Sequence, residues 1–244
     1  MKKNRRARAS RLLTIPLAVA LMAPIAACNA HNDEMVLDLS WPSSFYAQGF
    51  PTDLRNDNGH IRVGDFPRPL HLFTLTYKNQ IANSNFGYSP AMPLYMQFGS
   101  SFQTSAALTS LSATDFASAQ SPVQVIDIDP ETPDYGQRFP LQISVTHAAD
   151  TYRPANLLQV RPVGKPLREN TTYALITTKN FAANAGTTQP NRILQALLSG
   201  KNPWILNPLT LPADAARAQK VYAPLHQFLT SNGVNSADII GATV

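Results

Sequence analysis

The chain has 244 residues, enough for one large domain or two small ones, and a formal net charge of +5. Six of its 20 Lys and Arg residues fall within the first 11 positions, so 14 basic residues face 15 acidic ones in the rest of the chain. Because no basic stripe remains there to release counterions from a phosphate backbone, the composition argues against a nucleic-acid-binding protein.

The N-terminal segment has the parts of a secretory signal peptide. A basic stretch ends at Arg11, and an uncharged run of 16 residues follows over 12–27. This run is too short for a membrane span, which needs about 20 residues, but it suits the apolar region of a signal. We therefore predict a signal peptide over 1–27.

The signal ends at Ile25-Ala26-Ala27-Cys28, which resembles the lipobox of bacterial lipoproteins. In that motif small residues precede the cleavage point, and the cysteine thiol is diacylated and becomes the new N-terminus. We therefore predict that Cys28 is lipidated and begins a tether over 28–35, so that a membrane is the expected partner. Each buried CH₂ of the acyl chains would contribute about 0.8 kcal/mol to anchoring.

Two further features define the expected location of the protein. Cys28 is the only cysteine, so the fold has to be stable without disulfides. Asn29 rather than an aspartate follows it, which by the usual sorting logic of diderm bacteria favours the outer membrane. We expect a lipid-anchored protein of the cell envelope, and the sequence does not indicate an oligomeric state.

Between the tether and residue 130, short apolar runs predict strands that are separated by turns. A stretch rich in Ser, Thr and Ala over 101–120 places Leu108, Leu111 and Phe116 at near-helical spacing, which predicts one or two short helices over one open end of the β-structure. The predicted strands are 35–39, 60–63, 70–77, 93–98 and 123–128.

Three patterns that could carry chemistry are better explained as loops or scattered residues. The acidic turn before Gly59 lacks EF-hand spacing, because Leu54 falls at the first ligand position. The sequence Gly87-Tyr88-Ser89-Pro90-Ala91 resembles a nucleophile elbow, but Pro90 lacks the backbone N–H that would form half of the oxyanion hole. No pair of histidines has metal-ligand spacing, so we predict no metal, cofactor or catalytic residue; the histidines are His31, His60, His71, His147 and His226.

Strands dominate the region 138–178, around which the rest of the chain is organised. Strict apolar/polar alternation over 139–146 predicts a half-buried strand. A second strand is predicted over 156–161 after a proline-bearing turn, and a third over 174–178. Alternation of this kind is typical of antiparallel sheets with one buried face.

Leu167, Thr171 and Tyr173 have the spacing of a tyrosine corner. In this motif a tyrosine at the start of a strand bonds its hydroxyl to the backbone just upstream and holds the crossing between two sheets of a sandwich. We therefore predict that Tyr173 is substantially buried and that its hydroxyl is hydrogen-bonded to the backbone before it.

The composition changes at about Thr187, after which helices are predicted. The ranges 191–198 and 213–230 place apolar residues on one face. The second of these helices follows Pro212, and its apolar stripe is expected to pack in the core. The last residues, 238–244, predict a strand whose apolar edge should be poorly satisfied.

Five segments spread along the chain form a recognisable pattern. They are Phe50-Pro51-Thr52-Asp53, Gly87-Tyr88-Ser89-Pro90, Asp127-Ile128-Asp129-Pro130, Asn156-Leu157-Leu158, and Arg161-Pro162 followed by Pro166-Leu167-Arg168-Glu169-Asn170-Thr171-Thr172-Tyr173-Ala174. Together they resemble exported bacterial proteins in which an Ig-like β-sandwich precedes an α/β-hydrolase domain of the lipase or esterase kind. The resemblance covers about residues 36–244. It implies a fold rather than a mechanism, because the elbow, acid and histidine of such a domain would follow Val244.

The sequence thus predicts a mainly β fold, with an Ig-like antiparallel β-sandwich over 36–186 and a helical C-terminal segment ending in a strand over 187–244. The predicted function is that of a membrane-anchored exported lipoprotein acting as a non-catalytic structural or accessory module. One alternative is the N-terminal part of a secreted ester hydrolase, with a C-terminal hydrolase domain as its partner. Another is a carbohydrate- or peptide-binding module, for which Trp41, Trp204 and Tyr135 are the candidate contact residues.

Overall fold

Antiparallel sheets and helices both contribute to the described part of the chain, in which eight strands form three sheets beside three α-helices. Helical residues (30%) outnumber strand residues (21%), so the predicted antiparallel sheets are present but the content is mixed. The computed structural model describes residues 33–41, 44–67, 70–83, 87–100, 102–184, 186–206 and 210–244. Cys28 lies outside these residues.

The strand predictions are confirmed except at 70–77 and at the first run, where Met35 forms only a single bridge to Phe98. The predicted short helices over 101–120 are two 3-10 helices, Ala106–Ser110 and Ala113–Ala117. The strands are β1 (Asn56–Asp57), β2 (His60–Ile61), β3 (Leu94–Gln97), β4 (Val123–Asp127), β5 (Leu141–Thr146), β6 (Leu157–Pro162), β7 (Tyr173–Thr178) and β8 (Ile239–Thr243).

Two three-stranded antiparallel sheets share one hydrophobic core. One sheet has the strand order β3-β6-β5 and the other β4-β7-β8, while β1 and β2 form a separate small hairpin. In the first sheet Met96 lies opposite Leu158. In the second, Val125 lies opposite Leu175, which lies opposite Thr243 on its other side. Apart from Leu157, the buried hydrophobic side chains of both sheets belong to a single cluster, which the C-terminal helices complete.

The chain passes from one sheet to the other between β4 and β5. Just before β5 it runs along the outer edge of β4, where Asp127 N–H donates to the Gln137 carbonyl (3.0 Å) and Phe139 N–H donates to the Val125 carbonyl (3.2 Å). After Pro140 it enters β5 in the other sheet. Pro140 marks the crossing, because its carbonyl already accepts from the Val163 N–H (2.9 Å), which follows β6 in the other sheet.

The two C-terminal helices are α2 (Arg192–Leu198) and α3 (Pro212–Ser231), which confirms the helices predicted over 191–198 and 213–230. The side chain of Asn191 caps α2 by accepting from the Ile193 N–H (2.9 Å). Pro212 starts α3, where its missing N–H removes no helical hydrogen bond. The predicted stripe of α3 packs in the core, through Ala215, Ala218, Tyr222, Leu225, Phe228 and Leu229.

The prediction of a strand over 70–77 is wrong, because these residues begin the helix α1 (Leu72–Ala82). Alternating Leu and Thr residues suit a strand only when a neighbouring strand pairs with them. No strand of the described residues pairs with this segment. The residues that follow, from Lys78 to Ala82, favour a helix and contain no glycine or proline. None of the helices in the described ranges is long and apolar enough to span a membrane.

The prediction of a poorly satisfied edge at the last strand is also wrong. All five residues of β8 are buried, and groups from distant parts of the chain bond to its free edge. The Tyr222 hydroxyl donates to the Ala242 carbonyl (2.8 Å), and Ala242 N–H points at the sulfur of Met35 (3.3 Å). The Asp53 N–H donates to the Val244 carbonyl (2.9 Å). The edge of β8 is therefore covered by a tyrosine, a methionine and a loop.

A second, smaller cluster of aromatic side chains surrounds the buried Arg55. Its guanidinium forms a two-pronged ion pair with Asp65 (2.8 and 2.9 Å) and also donates to the carbonyls of Phe45 (2.6 Å) and Arg62 (3.0 Å). It lies 4.4 Å from the centre of the Phe45 ring and 5.4 Å from that of Trp41. The charge is thus compensated although the side chain is fully buried.

Candidate functional site

A cleft of about 800 Å³ opens on the surface of the folded region. Ligand sites in proteins are concave and combine apolar walls with a few polar groups, and this cleft has both. Its lining comes from the segments 51–53, 87–92 and 167–173 and from the end of β8, at Thr243 and Val244.

The first wall of the cleft is the predicted corner. Arg168 N–H donates to the Tyr173 hydroxyl at 2.9 Å, so the expected hydrogen bond to the backbone upstream is present. Thr171 supports the turn by donating its hydroxyl to the Glu169 carbonyl (3.1 Å). Leu167 and Tyr173 pack against the main core.

Tyr173 is partly buried against the main core but is not fully enclosed. The reason is that its ring stands at the cleft, with one side on Phe139 (ring centres 5.7 Å apart) and the other toward the opening. This partial burial raises the pKa of the Tyr173 hydroxyl above its ordinary value.

The second wall is the loop 87–92, which is tied to the segments on either side of it. The Tyr88 hydroxyl donates to the Thr52 carbonyl (2.8 Å), and the Tyr88 ring packs edge-on against Phe50. Burial raises the pKa of Tyr88, so the hydroxyl remains a neutral donor. On the other side, Leu167 N–H donates to the Pro90 carbonyl (3.3 Å). The loop therefore bridges the segment 51–53 and the corner.

Asp53 lies between these walls, where its own backbone is fixed by the bond to the Val244 carbonyl. Its side chain reaches solvent through the cleft, but the surrounding walls enclose it enough to raise the pKa of its carboxyl. Glu169 lines the same cleft, and Arg168 on its edge forms an ion pair with Asp134. The cleft thus presents carboxylate acceptors beside hydroxyl and amide groups.

Ser89 is a turn residue in this cleft, as the sequence predicted. Its carbonyl accepts from the Met92 N–H (3.1 Å), and after the turn the chain enters β3 rather than a helix. Three of the four histidines in the described ranges bond elsewhere: His60 to the Ala82 carbonyl, His147 to Asn156 and His226 to the Leu198 carbonyl. The fourth, His71, packs against Phe73. Within the described residues no three His, Cys, Asp or Glu side chains are placed to hold a metal ion.

The three aromatic candidates for a binding face lie in different surroundings. Trp41 packs on the guanidinium groups of Arg55 and Arg62. Tyr135 packs edge-on against Phe228 (ring centres 5.6 Å apart), while Trp204 is exposed in a short 3-10 helix. No ring contact among the described residues joins these three, and the cleft lining includes none of them.

Sequence reasoning missed the cleft itself, although its parts were visible. Three of the segments that carry the resemblance, at 50–53, 87–90 and 166–174, lie far apart in sequence and line this one cleft. The signal that could have indicated the cleft is that these segments are loops, because loops positioned by a rigid scaffold commonly carry function. The sequence analysis names Thr52, Asp53 and Tyr88 only as parts of these segments and not as candidate site residues.

Comparisons of the chain with protein-family models, with curated proteins and with solved structures find no match. The resemblance to hydrolase-associated sandwiches therefore stays a prediction. Function has to be inferred from the residues and from the geometry of the cleft.

Proposed function

We propose that the protein is an exported, lipid-anchored component of the bacterial cell envelope, whose folded region acts as a non-catalytic accessory module. The observation that carries this proposal is the sequence around Cys28. A basic stretch, an uncharged run of 16 residues and small residues lead directly to the only cysteine of the chain. A stray cysteine would have no reason to occur at that point.

The proposed module is an Ig-like sandwich over 36–186, to which the C-terminal segment adds the strand β8 as the last strand of one sheet. Three observations support this finer assignment. Two antiparallel sheets share one core, the chain crosses between them at Pro140, and the Tyr173 hydroxyl bonds to the backbone upstream of its strand. These are the features by which sandwich folds of this kind are recognised.

Mass spectrometry of the mature N-terminus tests the anchor. We expect a chain that begins at Cys28 and carries two or three acyl chains, and Cys28→Ser should abolish both the added mass and cleavage at this position. A mature chain with an unmodified Cys28, or one that begins elsewhere, would contradict the proposal.

A second candidate is that this accessory module serves an exported ester hydrolase. The observation that favours it is that three of the segments that carry the resemblance, 50–53, 87–90 and 166–174, line the same cleft. Such a grouping is expected of a surface to which a hydrolase domain binds. Asp53, Tyr88 and Tyr173 would then be docking residues rather than catalytic ones.

An assay with a short-chain nitrophenyl ester separates these roles. We expect no turnover by the chain as far as Val244, since Pro90 removes the donor that an elbow needs after Ser89. Turnover that disappears in Ser89→Ala would overturn the non-catalytic proposal. Turnover that appears only in a longer chain, and falls in Tyr88→Ala without loss of folding, would support the second candidate.

A further inference from the structure

Helix α1 presents its apolar side chains to solvent, the reverse of an ordinary surface helix. Leu70, just before the helix, is 92% exposed, Leu72 is 72%, Phe73 is 69% and Tyr77 is 65%. Within α1, all of which the structure describes, only Thr74 is buried. We refer to Leu70, Leu72, Phe73 and Tyr77 as the apolar ridge.

Two hydrogen bonds hold the second half of α1 against the rest of the protein, and in the first half Thr74 is buried. The Ala82 carbonyl bonds to the His60 ring (3.0 Å), and Lys78 donates its ammonium to the Gly64 carbonyl (2.7 Å). Most of the apolar ridge lies at the other end, around the first turn. The helix is therefore fixed at its C-terminal half and presents the apolar ridge away from these contacts.

The charge in the chain around α1 has one sign. No carboxylate occurs in the 49 residues between Asp65 and Asp115, whereas Arg68 and Lys78 do. The first turn of α1 contains no acidic residue. A helix that exposes large apolar side chains and carries a cation but no anion is complementary to a bilayer of anionic lipids.

The order of residues along α1 fits the layers of a membrane interface. Leu70, Leu72 and Phe73 come first, and Tyr77 and Lys78 follow about one turn, or about 6 Å, behind Phe73. Interfacial helices insert apolar groups about 5–10 Å deep, while tyrosine and lysine lie at the level of the headgroups. A protein partner would not require this order.

We propose that the apolar ridge inserts into the outer layer of an anionic bilayer and is a second membrane contact of the protein, beside the acylated Cys28. This inference rests on the proposed function, which brings the folded region close to a membrane. The ligand is the lipid surface itself, with acyl chains around Leu72 and Phe73 and phosphate groups near Lys78.

The experiment places an environment-sensitive fluorophore on α1. The mature lipidated chain with Phe73→Cys is reconstituted into vesicles of phosphatidylethanolamine and phosphatidylglycerol and labelled at its free thiol. We expect blue-shifted emission that is quenched by spin-labelled acyl chains. A label at Gln80→Cys, on the same face but about 10 Å further along the helix, should be quenched less. A label at Thr109→Cys, on the 3-10 helix Ala106–Ser110, should report an aqueous environment.

The number of labels separates failure of this inference from failure of the anchor. An acylated Cys28 cannot react with the fluorophore, so we expect one label per chain. Two labels per chain would disprove the anchor. In that case α1 can still be tested in a Cys28→Ser chain that is mixed with vesicles. In that chain Leu72→Ser and Phe73→Ser together should weaken vesicle binding at least roughly ten-fold, with an unchanged circular dichroism spectrum. An aqueous signal at residue 73 on vesicles, as expected if α1 binds a protein instead, would overturn the inference.

Discussion

Gly241 on β8 lies where a side chain would have no room between the two large sheets. A Cβ built at this position would lie 2.4 Å from the Met96 sulfur and 2.6 Å from the Thr177 hydroxyl, both of which are buried. We expect Gly241→Ala to lower the free energy of unfolding by about 1–3 kcal/mol, because the neighbouring side chains must move in a close-packed core.

Urea denaturation followed by circular dichroism measures this effect, and Gly64→Ala is the matched control. No atom lies within 4 Å of a Cβ at Gly64, and its φ is not positive. The control should therefore unfold at the same urea concentration as the parent or slightly higher. If both variants unfold like the parent, the close approach of the sheets at Gly241 is wrong.

The hydrogen bond of Tyr173 is expected to contribute modestly. Tyr173→Phe leaves the ring in place and removes only the acceptor of the Arg168 N–H. Since Arg168 is exposed, water can replace that acceptor, and we expect a loss of about 0.5–1.5 kcal/mol. Thr171→Ala should cost less. Equal denaturation midpoints for Tyr173→Phe and the parent would show that the bond does not stabilise the fold.

At the scale of elements, β8 depends on side chains that reach it from elsewhere. The Tyr222 hydroxyl on α3 bonds to the Ala242 carbonyl, and both groups are buried. Tyr222→Phe would leave that carbonyl without its partner and without access to water, so we expect a loss of about 1–3 kcal/mol.

The comparison of Tyr222→Phe with Tyr173→Phe in the same denaturation experiment tests this directly. The chemical change is identical, but the Tyr222 hydroxyl donates to a buried carbonyl, whereas the Tyr173 hydroxyl accepts from the N–H of an exposed residue. Tyr222→Phe should unfold at the lower urea concentration. The reverse order would mean that the edge of β8 is not held by this hydroxyl.

The elements that sequence could predict are those whose pattern is local. Alternation in β5 and the apolar stripe of α3 each report a buried face without reference to the rest of the chain. Local pattern could not decide whether the segment 70–77 is a strand or a helix, because Leu and Thr alternate in it. A sheet is excluded only because no strand among the described residues pairs with it. Its outcome depended on tertiary structure.

Local patterns could not predict the cleft or the covered edge of β8 for the same reason. Met35 and Asp53 reach β8 from about 190 or more residues away in sequence, and nothing near either residue indicates that contact. Likewise the motif at 87–90 was visible, but its bond from Leu167 to Pro90 was not. Sequence therefore predicted the corner and not the cleft that it lines.

At the scale of the whole molecule, buried tyrosines should make the fold sensitive to alkali. Burial raises the pKa of Tyr46 from 10.0 to about 12 and also raises the pKa values of Tyr88 and Tyr222. The folded state thus holds protons that the unfolded chain releases near pH 10. The contribution of Tyr46 is complete below pH 10 and is lost as the pH rises through about 12, while those of Tyr88 and Tyr222, which also begin to fall above pH 10, extend to higher pH.

Denaturation midpoints measured from pH 8 to pH 12 should therefore fall above pH 10, together with the appearance of tyrosinate absorbance. In Tyr222→Phe the fall should be shallower, because one buried proton has been removed. Tyr77→Phe is the control, since its hydroxyl belongs to an exposed side chain and should not change the slope. A midpoint that is independent of pH over this range would contradict the burial of these hydroxyls.

The buried Arg55 has a consequence for how the segment 45–65 opens. Its guanidinium bonds to Phe45, Arg62 and Asp65 at once, so release of Asp65 leaves a charge unpaired among aromatic rings, and release of either carbonyl leaves a buried N–H without an acceptor. Backbone amides across this segment should therefore exchange with deuterium through one opening, with one common free energy, rather than fray one by one. Asp65→Asn should lower this free energy for all of them together, whereas Asp57→Asn, which removes the partly exposed pair with Arg62, should leave it unchanged.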